Sequence, residues 1–280
     1  MHNIKKPQIE NLEQHLENCI DRLRKTKIKT KSLIPEIVSQ CNLYEQNASN
    51  NTLYLLNKIP FDDEIVQNQT FKKLYVNHMS KQSSCAYDLY NKLLSSAPFN
   101  KCPYCSQGDV EELDHFLPKI DNGYPEFSIV PINLVPSCHR CNHKKHEFIP
   151  TTKDKQFIHP YFVNNINDYR WLYCKVNHSI ENELTFIFYI NCPNEIEKSI
   201  QECINFQFNK LELAILYSKN AANEYAGIKN IIDKYHEDKE TLMQLFNDRA
   251  NSYENHIRNS WQTAMYYTLA EEIEQNNNFI

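Results

Sequence analysis

Glycine is nearly absent. The 280-residue chain has three, and two of them, Gly108 and Gly123, fall within residues 101–150. With so few, there is no glycine-rich loop of the kind that cradles a nucleotide phosphate. Long apolar runs are missing too. None approaches the roughly 20 residues that cross a bilayer, and the polar start from Met1 to Glu10 reads as no secretory leader, so no membrane attachment is expected. A basic excess is also lacking: 30 Lys and Arg face 35 Asp and Glu, a net charge of −5. Proteins that bind nucleic acid unaided are usually basic, because phosphate contacts dominate their affinity. Either positive charge is concentrated locally or a partner brings the nucleic acid. There is no internal repeat and no Ser/His/Asp pattern of a nucleophilic hydrolase.

Cysteine, by contrast, is plentiful. Four of the ten form two CxxC pairs, Cys102/Cys105 and Cys138/Cys141. A CxxC turn sets two thiolates at the spacing one tetrahedral ion needs, and a second pair completes a closed shell, so a structural Zn2+ is predicted. The 32 residues between Cys105 and Cys138 leave room for a hairpin. Pro103 and Gly108 suit a tight knuckle. A redox dithiol normally opens a helix after a strand in a βαβ unit, and no such unit is visible. Cys19, Cys41, Cys85, Cys174, Cys192 and Cys203 read as free thiols in a reducing cytoplasm.

Asp114-His115, Asn133 and Asn142 are interleaved with the knuckles. Asp114-His115 reads as a short strand stopping at Pro118. Asn133 sits in a loop, and Asn142 is expected to open a helix through Lys144 and Lys145. A metal holding both knuckles would pin that helix against the hairpin and bring Asp114, His115 and Asn142 to one site.

This order and spacing, inside a zinc frame, resembles the HNH (His-Me finger, ββα-metal) endonuclease family over about a sixth of the chain. The resemblance implies that His115 is the general base. It gives Asp114 and Asn142 the catalytic metal and leaves Asn133 to support the loop and the base. Asn at the last position departs from the commoner His, and His139, His143 and His146 compete for that place. The chemistry agrees with these roles: an imidazole takes a proton from water near neutral pH. Two oxygen ligands suit Mg2+ or Mn2+ better than zinc. Arg140, Lys144 and Lys145 are expected to contact phosphates. The run EFSIVPINLVPSC is similar to bacterial HNH effectors of anti-phage defence, whose relatives work beside an ABC-type ATPase, as in Septu-like systems. Glu126 in that run reads as a capping or loop hydrogen-bonding residue before a third acidic ligand.

The expected fold class is α+β and mainly helical. A zinc-stabilised core (101–150) is embedded between an N-terminal helical region (1–100) and a connecting segment with a β-hairpin (151–193), followed by a C-terminal helical region (194–280). Apolar residues recur at helical spacing from Ile9 to Leu23. Pro35 fits the first turn of a helix running to about Gln46, and 47–51 reads as a loop. The run RLRKTKIKTK, residues 22–31, carries six basic residues and no acid; it reads as a solvated connector ahead of a nucleic-acid contact. His78 and His159 read as structural. Residues 171–176 and 184–190 are β-like, with a polar turn at 177–182. Helix is expected from Pro193 and again, unbroken, from Asp238 to about Gln275. From Asn194 on, acids outnumber bases fourteen to eight, which suits partner docking, dimerisation or plain scaffold better than a DNA surface. The expected activity is hydrolysis of DNA by a metal-dependent endonuclease in the cytoplasm, in anti-phage defence and gated by an ATPase. The rivals are a non-catalytic zinc-binding interaction module and an HNH-type RNase.

Overall fold

The computed structural model describes residues 1–67, 69–162, 165–178 and 184–275. The chain is α+β and mainly helical, and it divides into two compact units: Asn3–Asn164, and Asn165–Ile280 with Met1–His2. No described helix is long and apolar enough to cross a membrane.

The first unit opens with α1 (Leu12–Ile20), whose first turn is capped by the Asn11 side chain accepting from the Gln14 N–H. Helix α2 (Lys27–Lys31) is short, and α3 (Ile34–Ser49) carries Pro35 in its first turn and buries Ile37, Cys41 and Tyr44. It runs two residues past the expected loop start at 47, to Ser49, because Asn47 Nδ2 donates to the Leu43 carbonyl and Thr52 N–H to the Asn47 carbonyl. The basic run is matched locally by acids. Lys27 and Lys31 both lie 2.9 Å from Asp21, and Lys29 lies 3.2 Å from Asp62 and 2.7 Å from Glu64. It is a solvated connector.

Two further short helices follow, α4 (Asp63–Gln67) and α5 (Thr70–Leu74), and α5 continues into a π-helical turn at Tyr75–Met79. Then come α6 (Tyr87–Leu94) and the central module. In that module β1 (Glu112–His115) pairs antiparallel with β2 (Leu134–Ser137), His115 opposite Leu134 and Glu112 opposite Ser137. Helix α7 (His139–Lys145) follows at once. Helix α6 packs on both strands, so the module rests on the N-terminal helices.

In the second unit β3 (Leu172–His178) pairs with β4 (Leu184–Ile190) as a separate two-stranded sheet. The predicted turn at 177–182 lies largely in 179–183, outside the described residues. The helices are α8 (Lys198–Lys210), α9 (Leu213–Tyr235), α10 (Lys239–His256) and α11 (Trp261–Gln275). Helix α11 packs on β3 and α9 on β4. Two expected boundaries are corrected. Helix α8 begins at Lys198, not Pro193, because the Pro193 and Ile196 carbonyls turn inward to accept from Gln201 Nε2, at 3.1 and 2.8 Å. The last pattern is two helices, because Asn259 is fully buried and leaves the helical path to cap the sheet. Its Oδ1 accepts from the Trp171 and Leu172 N–H groups at 2.8 and 3.2 Å, and its Nδ2 donates to the Tyr169 carbonyl at 3.0 Å. Ser260 Oγ then restarts the helix by accepting from Thr263 N–H at 3.1 Å.

Candidate active site and metal centre

Four buried cysteine sulfurs, of Cys102, Cys105, Cys138 and Cys141, lie within 4.8 Å of one another. A tetrahedral zinc with Zn–S bonds of about 2.3 Å sets its sulfurs roughly 3.8 Å apart. The Cys105–Cys138 separation is 3.9 Å, so the set fits a metal ion such as zinc. The first knuckle is closed by Cys102 N–H donating to the Gly108 carbonyl at 2.8 Å and Ser106 N–H to the Cys102 carbonyl at 2.7 Å. Gly108 N–H also donates to the Cys105 sulfur at 3.3 Å.

The absence of a side chain at Gly108 is required. A Cβ there would meet Cys138 Cβ and Sγ at 2.8 Å, well inside contact distance. Gly108→Ala should therefore force the two knuckles apart. An overpacking cost of about 1–3 kcal/mol corresponds to metal held roughly 5- to 150-fold more weakly. Competition with a chromogenic chelator measures this, and an unchanged affinity would show that the knuckles move apart freely.

Beside the cysteines, β1 delivers Asp114 and His115, and α7 delivers Asn142, to the wall of one cavity of about 540 Å3. Cys138, in extended conformation, is the N-cap of α7, so the helix starts at His139 and Asn142 lies one turn in, not at its opening. His115 is buried, and its orientation is fixed. Its Nε2 lies 2.9 Å from the Ser128 carbonyl, and only a protonated Nε2 makes that bond, so Nδ1 is the ring nitrogen that carries the acceptor lone pair. Burial, reinforced by Lys119 and Lys145, holds the ring well below the usual imidazole pKa.

Asn133 is fully buried. Its Oδ1 accepts from Leu117 N–H at 2.7 Å and from the Tyr44 hydroxyl at 3.1 Å, and its Nδ2 donates to the Leu117 and Phe127 carbonyls at 3.0 and 3.3 Å. It therefore ties the segment after β1 to the segment before β2. His159 joins this network from outside. Its Nδ1 accepts from Tyr161 N–H, and its Nε2 lies 3.0 Å from the Tyr44 hydroxyl. Burial holds its ring well below the usual imidazole pKa, and it is not part of the cavity wall. Glu126 is fully buried too, is not part of the cavity wall, and has its carboxyl pushed up to about 7 by burial.

Lys145 corrects one expectation. It is no phosphate contact: its side chain is 1% exposed, with the ammonium 3.1 Å from the Asp114 carboxylate and 2.8 Å from the His115 carbonyl. The Tyr104 hydroxyl donates to the same carboxylate at 2.7 Å. The spacing on α7 explains this, because Lys145 follows Asn142 by three residues and shares its face. Arg140 and Lys144 are half-buried on α7 and do not line the cavity. His139, His143 and His146 do line it, with His139 Nδ1 3.3 Å from Glu112.

Two wall residues were not anticipated. Lys119 places its ammonium 3.1 Å from His115 Nδ1, and Tyr75 sets its ring edge-on to His115 with centroids 4.4 Å apart. Lys119 also sits 4.3 Å above the Tyr75 ring centroid. The one available signal for Lys119 was its place directly after Pro118.

Over 215 residues the chain is 31% identical to protein ea31 of Escherichia phage lambda, a match spanning 71% of each. A stretch of 51 residues is 45% identical to Septu protein PtuB of Bacillus thuringiensis, covering 16% of this chain and 19% of that relative. No family model and no solved structure matches.

Proposed function

The chain belongs to the family of Escherichia phage lambda protein ea31, and from the cavity of its central module we propose that it is an HNH-type, metal-dependent endonuclease acting on DNA. The observation that carries this reading is His115: the Ser128 carbonyl holds Nε2, which leaves Nδ1 as the acceptor, and the residue lines one cavity with Asp114 and Asn142. His115 takes a proton from the attacking water at Nδ1. Desolvation keeps the ring neutral and ready to accept.

Asp114 and Asn142 would hold Mg2+ or Mn2+. They are hard oxygen donors, and an ionised carboxylate offers about four lone-pair sites. The bonds from Tyr104 and Lys145 therefore leave Asp114 with capacity for a cation. When bound, the cation neutralises phosphate charge and stabilises the leaving oxygen. Asn133 keeps the Leu117 and Phe127 backbones in register, which fixes where the base points.

DNA is the substrate class that the HNH resemblance implies. The net charge of −5 favours delivery of DNA by a partner. An ABC-type ATPase in an anti-phage system fits that need, and the short likeness to a Septu protein supports the setting.

The test is cleavage of supercoiled plasmid, linear duplex and RNA, with Mg2+, Mn2+ or EDTA, by the protein alone and as co-purified with its neighbours' products. The expected result is DNA cutting that needs Mg2+ or Mn2+. Cutting of RNA alone would make it an RNase. No cutting by either preparation, with zinc retained, would return the module to a binding role.

A further inference from the structure

The cavity contains two lysines with opposite circumstances. Lys145 is almost fully buried and immobilised between Asp114 and the His115 carbonyl. Lys119 is half-buried in the cavity wall, with its ammonium 3.1 Å from His115 Nδ1. The Ser128 carbonyl commits Nε2 as donor, so Nδ1 is an acceptor and the Lys119 N–H points into its lone pair. That lone pair is the one the base uses. While Lys119 donates to it, no water proton has anywhere to go.

Building on the nuclease reading, we propose that Lys119 is a phosphate-binding residue whose ammonium exchanges between His115 Nδ1 and a phosphodiester oxygen of the nucleic acid, so that strand binding releases the base.

Two general properties and one contact support the exchange. A phosphate oxygen carries charge and imidazole does not, and hydrogen bonds between two charged groups are the stronger. A lysine is a compact cation on a flexible four-carbon stem, suited to changing acceptors without moving the backbone. Tyr75 gives that stem a pivot: its ring face is 4.3 Å from Nζ, and the π-helical turn at Tyr75–Met79 presents it there. Such turns interrupt helical packing and are frequent at functional sites. Burial lowers Lys119 to about 8, with Asp114 working the other way, so the ammonium carries its charge at neutral pH.

The test uses the full-length, zinc-loaded chain with 15N-labelled histidine, no added Mg2+, and the dinucleotide thymidylyl-thymidine as the phosphodiester probe. In the wild type, adding the dinucleotide should shift the His115 Nδ1 resonance towards that of an unbonded acceptor nitrogen. In Lys119→Met the resonance should start there and stay there, and dinucleotide affinity should fall about tenfold or more, the loss of one charge-assisted bond. Lys119→Arg keeps a cation and should keep affinity within a few-fold, which separates loss of contact from loss of fold. A His115 Nδ1 signal indifferent to both the dinucleotide and Lys119→Met would overturn the proposal. So would full dinucleotide affinity in Lys119→Met. These readings need no cleavage, so they stand even if the chain cuts nothing. Where it does cut, the Lys119→Met defect should fall mainly on KM, and a defect confined to kcat would count against the exchange.

Discussion

Cys138→Ser is expected to strip the metal from the central module and collapse the unit that contains it. This cysteine is a corner of the sulfur cluster, the residue that follows β2 and the N-cap of α7 at once. A metal held there would tie the two knuckles together directly, in addition to the β1–β2 hairpin that joins them. Structural four-ligand zinc contributes on the order of 10–16 kcal/mol in small domains, comparable to or larger than the whole stability of a typical one. Removing one thiolate forfeits most of that. Metal analysis should fall from one zinc per chain to almost none, and calorimetry should lose the transition of residues 3–164 or move it down by tens of degrees. A Cys138→Ser protein that keeps a full zinc and the wild-type melt would mean that the sulfurs cluster for packing alone.

His115→Ala is expected to reduce cleavage by roughly 10^2- to 10^4-fold, the range general-base catalysis supplies, while leaving zinc content unchanged. The cysteines are held by Gly108, Ser106 and the knuckle backbone, not by the imidazole, so metal and activity should separate cleanly. Truncating the ring leaves a gap beside Tyr75, so a modest loss of thermal stability is expected as well. Free imidazole added to the assay should restore part of the His115→Ala rate if the missing group is a base, and none if the ring is only packing. Full activity in the variant would place the chemistry elsewhere.

The sequence makes this centre legible because its signals are local. A CxxC pair needs nothing beyond a tight turn, and a strand, a loop and a helix in that order can be read from alternation and prolines. What stayed hidden depends on distance or on a break in periodicity. Lys145 looked like a surface cation at the end of a basic helix. Only the pairing of β1 with β2 sets that helix face against Asp114. Tyr75 lay within residues 1–100, expected simply to be helical, and nothing in that expectation marks the π turn that presents it. Asn259 sat inside a pattern continuous enough to read as one helix, yet its amide is drawn out by three backbone groups nearly 90 residues upstream. The division at 164/165 was obscured because the hairpin, contiguous with the central module, packs instead on the C-terminal helices.

The hydroxyl of Tyr44, on α3, holds Asn133 from 89 residues away in sequence. Ser128, whose carbonyl holds the His115 ring, anchors its own hydroxyl at the Phe71 carbonyl, and Tyr124 reaches back to the carbonyl of Leu56. The module from Lys101 to Pro150 is therefore not a portable cassette. A graft carrying those 50 residues into another scaffold would bring all four thiols and every acid, base and amide of the cavity. It would leave behind the struts that aim them, and its recipient would inherit a metal knob without an edge.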